Sequence, residues 1–311
     1  MNVSDIKECG DPNNSLVTFA WDLTTQCQYR CTYCYAHSLL TQKFDPKLHN
    51  IYKTVFSKLK LAKLNNFCIE LLGGEPTLHP HFYEIISECF SLKNCKNIMV
   101  VTNLARPINF YKKFNIQQFN GLQFDVSFHP EYIKNIDHWC YKLKQLNDCK
   151  YFSTMVNINL VDDNKYIELY KTLIEYCISN SIEIGLNILF SIDNYVSKYS
   201  IEFLNVFKKY DLYITSYKNK IKFVDKLNNT FLYTHSDIYL NKLNLFKGFN
   251  CRPKLWKISV TGEITNVCTG KYLNITGTNI NECVQCPQNV CNIEVAHEFH
   301  KTAHGEPLPL N

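Results

Sequence analysis

Apolar positions along the first two thirds of the chain follow two alternating rhythms. Runs of strand length, at residues 16–23, 67–72, 97–101, 121–128, 151–160 and 182–190, are separated by stretches with helical spacing. Leu48, Ile51, Val55 and Leu59 form one helical face, and Phe82, Ile85, Ile86, Cys89 and Phe90 another. Residues 137–149, 166–177 and 201–210 supply further helical segments. Strands alternating with helices predict a parallel sheet clothed by helices, with reactive groups at the carboxyl ends of the strands. Six such units fit, so the expected fold class is α/β: a partial (β/α)6 TIM-like barrel over residues 15–210, after an N-terminal extension at 1–14.

Beyond residue 210 the rhythm changes. Residues 211–250 carry short alternating segments, at 212–217 and 220–224, and a hairpin turn at 226–230 leading into 231–234; they read as a connecting segment. Residues 251–296 are rich in Cys, Gly and Asn and read as a small cysteine-rich α+β domain. Residues 297–311 read as a loosely held tail, in which His297, His300 and His304 belong to a polar extension and not to a metal site. No internal repeat or low-complexity tract interrupts this order.

Composition narrows the picture. With 311 residues, 46% hydrophobic and 20% charged, the chain can bury a substantial core. A net charge of +5 is mild and makes a nucleic-acid partner an unneeded assumption. No signal-peptide core and no apolar run of membrane-spanning length is visible, so a cytoplasmic protein without membrane contact is expected. Thiols stay reduced there. The 15 cysteines therefore point, where they group, to metal or cluster ligation and not to disulfides. Cys68, Cys89 and Cys177 fall within apolar patterns and read as core, while Cys9, Cys95, Cys140 and Cys149 show no ligand spacing.

Two groups of cysteines remain. Cys27, Cys31 and Cys34 stand as C-x3-C-x2-C directly after the first strand. Three thiolates leave one iron of a four-iron cluster open for chemistry. The same spacing also suits a zinc loop, with His37 as a fourth ligand. In the second group, Cys251 and Cys268 flank a hairpin turning at Thr261-Gly262, and Cys283-Val-Gln-Cys286 follows, with Cys291 left over. That arrangement suits one auxiliary centre or a four-cysteine zinc ribbon.

The first group, with Tyr33 just before its last cysteine, resembles the hallmark of the radical S-adenosylmethionine enzymes. Gly73-Gly74-Glu75-Pro76, closing the second strand, is similar to that family's glycine-rich segment. The resemblance implies a cluster-bound S-adenosylmethionine that is cleaved to a 5′-deoxyadenosyl radical, which abstracts a substrate hydrogen. It implies that the Gly73–Pro76 segment receives the cofactor's ammonium, with glycine allowing close approach. It also places Thr102, Asn103 and Ser127 near the cofactor, with Asn157 and Asn187 as added contacts and Gly185 beside an adenine shelf. Asp125, Ser127 and His129 alternate with Phe124, Val126 and Phe128, so the three polar residues share one face. Asp125 and His129 are the candidate catalytic groups.

The second group resembles the auxiliary-cluster domains called SPASM and twitch. This implies a second four-iron cluster on Cys251, Cys268, Cys283 and Cys286, able to accept an electron from the substrate radical. The function expected is oxidation or bond formation on a peptide or small molecule, with an external one-electron reductant such as flavodoxin or ferredoxin. The alternatives are an RNA-modifying radical enzyme, a zinc-ribbon nucleic-acid-binding protein, or a non-catalytic iron–sulfur carrier.

Overall fold

The computed structural model describes residues 2–10, 16–34, 36–62, 64–189, 199–210, 214, 220–234, 237–238, 241–274, 280, 282–287, 291 and 301–303. The described chain forms two units, and neither is continuous in sequence. One comprises Met1–Ala20, Ile51–Cys68 and Asn219–Asn311, the other Trp21–Asn50 and Ile69–Lys218. Strand β1 is Ile6–Cys9. Strands β2 (Val17–Thr24) and β3 (Phe67–Gly73) begin in the first unit and end in the second.

The second unit carries the expected barrel architecture. Its strands follow in the order β2-β3-β4-β5-β6-β7, with β4 at Cys95–Thr102, β5 at Leu122–Phe128, β6 at Phe152–Leu160 and β7 at Glu183–Ile188. The last four run parallel and in register. A helix follows each strand in the chain: α1 (Ile51–Leu61), which belongs to the first unit, and in the second α2 (Phe82–Ser91), α3 (Ile108–Lys112), α4 (Ile136–Asn147), α5 (Ile167–Ser179) and α6 (Ile201–Lys208). Local chemistry sets their starts. The Asn135 side chain accepts from the His138 amide to cap α4, and Ser200 accepts from Phe203 to cap α6.

The alternation read in β5 is structural. Phe124, Val126 and Phe128 are fully buried, and Phe128 meets Trp139 of α4 edge-on at 5.0 Å. That packing against helices leaves Asp125, Ser127 and the residue after the strand, His129, on the opposite face. Cys89 and Cys177 are fully buried in helix faces, and Cys68 is nearly so, as their apolar surroundings predict.

The first unit departs from the expected linear order. Its main sheet runs β13-β10-β14-β1-β8-β9, with β8 at Lys220–Asp225, β9 at Thr230–Thr234, β10 at Asn250–Cys251, β13 at Val284–Gln285 and β14 at Lys301–Thr302. Every described pairing in it is antiparallel. Residues 1–14 are therefore more than an extension, because Ile6–Cys9 is an inner strand of this sheet. Within 211–250 the expected segments at 220–224 and 231–234 form the hairpin of β8 and β9, but β8 also pairs with the distant β1, so this stretch belongs to the sheet and is more than a connector. The tail reading also fails at Lys301 and Thr302, which are buried and paired on both sides. His297, His300 and His304, and most of the segment expected at 212–217, lie outside the described residues. The hairpin between Cys251 and Cys268 forms as expected, from β11 (Leu255–Ile258) and β12 (Ile264–Asn266), with Gly262 at φ +79° in its turn.

Candidate active site

The loop after β2 is shaped by its own hydrogen bonds. The Arg30 guanidinium donates to the carbonyls of Cys27 (2.7 Å) and Tyr29 (2.8 Å), which curls the chain between the first two thiols. Neighbouring segments then hold it. The Arg30 amide donates to the Tyr132 hydroxyl at 2.6 Å, the Thr32 amide to Glu131 at 2.9 Å, and Tyr29 stacks on Tyr132 at 4.2 Å. Cys27 and Cys31 are thereby buried, at 7% and 4% exposure, while Cys34 stays half-buried on the open side. Burial pushes the Cys27 thiol up, and Cys31 up to about 12. Such thiols stay protonated until a metal centre takes them as thiolates.

Around the thiols the structure gathers several expected residues in roles the sequence did not reveal. The Asn103 side chain accepts from Gln28 Nε2 (2.9 Å) and directs its Nδ2 to Cys27 Sγ (3.9 Å), so it ties the end of β4 to the cysteine loop. His129 lies against the same loop, its Nδ1 2.9 Å from the Tyr33 hydroxyl and 3.3 Å from Cys31 Sγ. Burial pushes the His129 imidazole down to about 4, leaving it neutral near pH 7. His129 thus supports the cysteine loop.

The glycine-rich segment also packs against the chain itself. A Cβ on Gly73 would sit 2.5 Å from the Thr24 carbonyl oxygen, and one on Gly74 2.3 Å from that of Gln26. The Gly74 amide donates to Thr24 and the Glu75 amide to Gln26, both at 2.7 Å. The glycines are needed because the end of β3 presses on the backbone leading into the cysteine loop, whatever approaches from the other side. Glu75, at 1% exposure, is likewise a brace. Its carboxylate accepts from Thr77 Oγ1, from Thr102 Oγ1 (2.7 Å) and from the amides of Thr77 (3.3 Å) and Asn103 (2.8 Å). Three of those donors meet Oε1 and one meets Oε2, so Oε2 keeps acceptor capacity for a further donor. Burial raises its carboxyl above the ordinary range, and these bonds pull it back. Thr102 is drawn into the same brace, its hydroxyl 3.1 Å from that of Tyr111.

Further along the sheet, Asp125 accepts from Asn157 Nδ2. Register places Ser127 beside Asn157, and Asn157 beside Gly185. A Cβ at Gly185 would come within 2.1 Å of Asn157 Oδ1, so glycine there lets the asparagine lie over β7. Asn187 donates to Asn159 at 3.3 Å, extending a polar ladder across the inner face. Gln28, Glu131 and Tyr132 are neighbours of the site that spacing alone could not single out.

In the first unit a second set of thiols forms. Cys251, Cys268, Cys286 and Cys291 are all buried, at 2 to 9% exposure, in one core with Cys9. Backbone bonds fix their loops: the Cys286 amide donates to Phe249 and the Cys291 amide to Asn244, both at 2.7 Å. Of the expected four, Cys283 is exposed, whereas Cys291, the apparent leftover, is inside. Burial pushes Cys268 up to about 12 and Cys291 to about 11, and the charge of Lys301 opposes both shifts. Five buried thiols in one core fit the donor set of an iron–sulfur cluster. Among the described residues no three His, Cys, Asp or Glu side chains close on one metal ion, and His37 is exposed.

No protein-family model matches the sequence. Among curated proteins, GTP 3′,8-cyclase of Haemophilus influenzae (strain PittEE) is 28% identical over 101 residues, covering 32% of this chain and 30% of that protein. The Photorhabdus laumondii enzyme of the same name is 32% identical over 106 residues, covering 32% of this chain and 31% of that protein. The matched stretch thus spans about a third of these relatives. Among solved structures, Streptococcus suis SuiB bound to its precursor peptide SuiA superposes with a TM-score of 0.55 at 17% identity, over 89% of this chain and 62% of that one. His-tagged anSMEcpe with bound AdoMet gives 0.52 at 16% identity, over 85% and 79%. These likenesses show that the barrel and antiparallel sheet are shared with SuiB and anSMEcpe, and the cysteine motif resembles that of the radical S-adenosylmethionine enzymes.

Proposed function

We propose that this chain binds a four-iron cluster through Cys27, Cys31 and Cys34, and S-adenosylmethionine at the cluster's open iron. When bound, that pair supplies a one-electron cleavage to methionine and a 5′-deoxyadenosyl radical, which abstracts a substrate hydrogen. The supporting observation is the cysteine loop itself: two buried thiols and one at an open side, held by Asn103, His129, Glu131 and Tyr132. The chain's residues position and exclude water. Asn103 donates toward one thiol, His129 backs another, and Glu75 locks the ends of β3 and β4 around the loop.

The inner face of Asp125, Ser127, Asn157 and Asn187 offers hydrogen bonds for the nucleoside and substrate. We take Cys251, Cys268, Cys286 and Cys291 as ligands of an auxiliary cluster that accepts the electron left on the substrate radical. The outcome is a two-electron oxidation or bond formation on a peptide or small molecule. The peptide in the SuiB and anSMEcpe complexes supports the first of these. A flavodoxin- or ferredoxin-type protein supplies the priming electron. Among the described residues no helix is long and apolar enough to cross a membrane.

The test is anaerobic incubation of the reconstituted chain with S-adenosylmethionine and dithionite. Formation of 5′-deoxyadenosine and methionine supports the proposal; a reconstituted chain that leaves the cofactor intact refutes it.

A further inference from the structure

The first unit buries a lysine among its cysteines. Strand β14 lies between β1 and β10, and its register sets Lys301 directly opposite Cys9 on one side and Cys251 on the other. Residues opposite one another on adjacent strands share a face, so an ammonium and two thiols form a row across three strands. Lys301 has no exposed surface, and its Nζ lies 3.1 Å from Cys251 Sγ and 5.5 Å from the centre of the Phe246 ring. The charges that act on it most favourably are those of Cys251, Cys291, Cys9 and Cys286.

A lysine is almost never fully buried without a partner, because desolvating an ammonium is costly. Neutral thiols do not repay that cost, whereas thiolates in a cluster do. An all-thiolate four-iron cluster is anionic, and one-electron reduction adds a further negative charge. A cation and an N–H donor at a ligand sulfur favour the reduced form.

We propose that Lys301 is the buried counter-charge of the auxiliary cluster, donating to the Cys251 thiolate and raising the cluster's reduction potential so that it takes up an electron readily. The proposal rests on the auxiliary-cluster reading given above. It makes Lys301 a positioning residue: no bond forms or breaks, and the ammonium keeps its proton.

The test uses the full chain carrying Cys27→Ala, Cys31→Ala and Cys34→Ala, so that only the auxiliary cluster remains. Iron and sulfide are counted, and the reduction midpoint is read by electron paramagnetic resonance during a dithionite titration. Lys301→Met is expected to keep its cluster and shift the reduction equilibrium at least tenfold toward the oxidised form, about 59 mV for one electron. Lys301→Arg, which retains the charge, should stay near the parent value. If Lys301→Met assembles no cluster while Lys301→Arg does, charge is again the deciding property. An unchanged midpoint in Lys301→Met overturns the proposal, as does equal damage in both variants, which would mark a requirement for shape. A parent that binds zinc without sulfide refutes the auxiliary cluster itself, before Lys301 is in question.

Discussion

The two cysteine sites are built by opposite means. Cys27, Cys31 and Cys34 are close in sequence, and a single loop curled by Arg30 brings them together. Cys9, Cys251, Cys268, Cys286 and Cys291 come from distant parts of the chain and meet because short antiparallel strands pair. The first site leaves one side open, with Cys34 half-buried, and the second is closed in a core that includes an ammonium. An open position suits chemistry at a metal, and a fully ligated, enclosed cluster suits electron transfer. The roles proposed for the two sites follow that difference in construction.

Removing each site separately should separate those tasks. Replacing Cys27, Cys31 and Cys34 with Ala is expected to abolish 5′-deoxyadenosine formation, measured chromatographically, and to cut iron from about eight to about four per chain. Replacing Cys251, Cys268 and Cys286 should also halve the iron but leave cofactor cleavage measurable. Cleavage surviving the first set and lost with the second would reverse the assignment.

A narrower pair sharpens the enclosed site. Cys291→Ala should lose the auxiliary cluster's iron, whereas Cys283→Ala, at an exposed thiol, should retain it. The opposite pattern would restore Cys283 as the ligand.

At the open site, Glu75→Ala should destabilise the cofactor-free protein by about 4 kcal/mol, the order expected when several buried donors lose one acceptor. Urea unfolding reads this directly. If stability is unchanged and only S-adenosylmethionine affinity falls, Glu75 is a cofactor contact and not a brace.

The smallest effect is acid sensitivity beside that site. His79 is nearly buried, at 5% exposure, and burial, aided by His81 and His49, pushes its imidazole down to about 4. A depressed histidine contributes stability that is complete above its unfolded value near 6.5 and is lost as pH falls from there through 4, because the unfolded chain then binds the proton first. The contribution is up to about 3 kcal/mol. His79→Asn should flatten the stability profile between pH 6.5 and 4, and an unchanged slope would exclude this source.

Local pattern made much of this legible in advance. Period-two alternation placed Phe124, Val126 and Phe128 in the core and Asp125 and Ser127 on the other face, because a strand's side chains alternate whatever surrounds it. The spacing of Cys27, Cys31 and Cys34 survived for the same reason: one loop carries all three. The bond between Glu75 and Thr102 was not legible, because their position at strand ends is local while the contact joins two strands. Cys9 and Lys301 were missed because nothing near them in sequence marks them; only pairing across β14 makes them neighbours. Short strands of two residues, such as β10 and β14, carry too little periodicity to be read from the chain.

The chain is proposed to hold two four-iron clusters, one open and one enclosed. Anaerobic purification and reconstitution, with iron, acid-labile sulfide and zinc measured per chain, tests it most directly. About eight irons and eight sulfides are predicted, falling to about four of each in either set of cysteine replacements. Zinc without sulfide, or a single cluster in the unaltered chain, would contradict it.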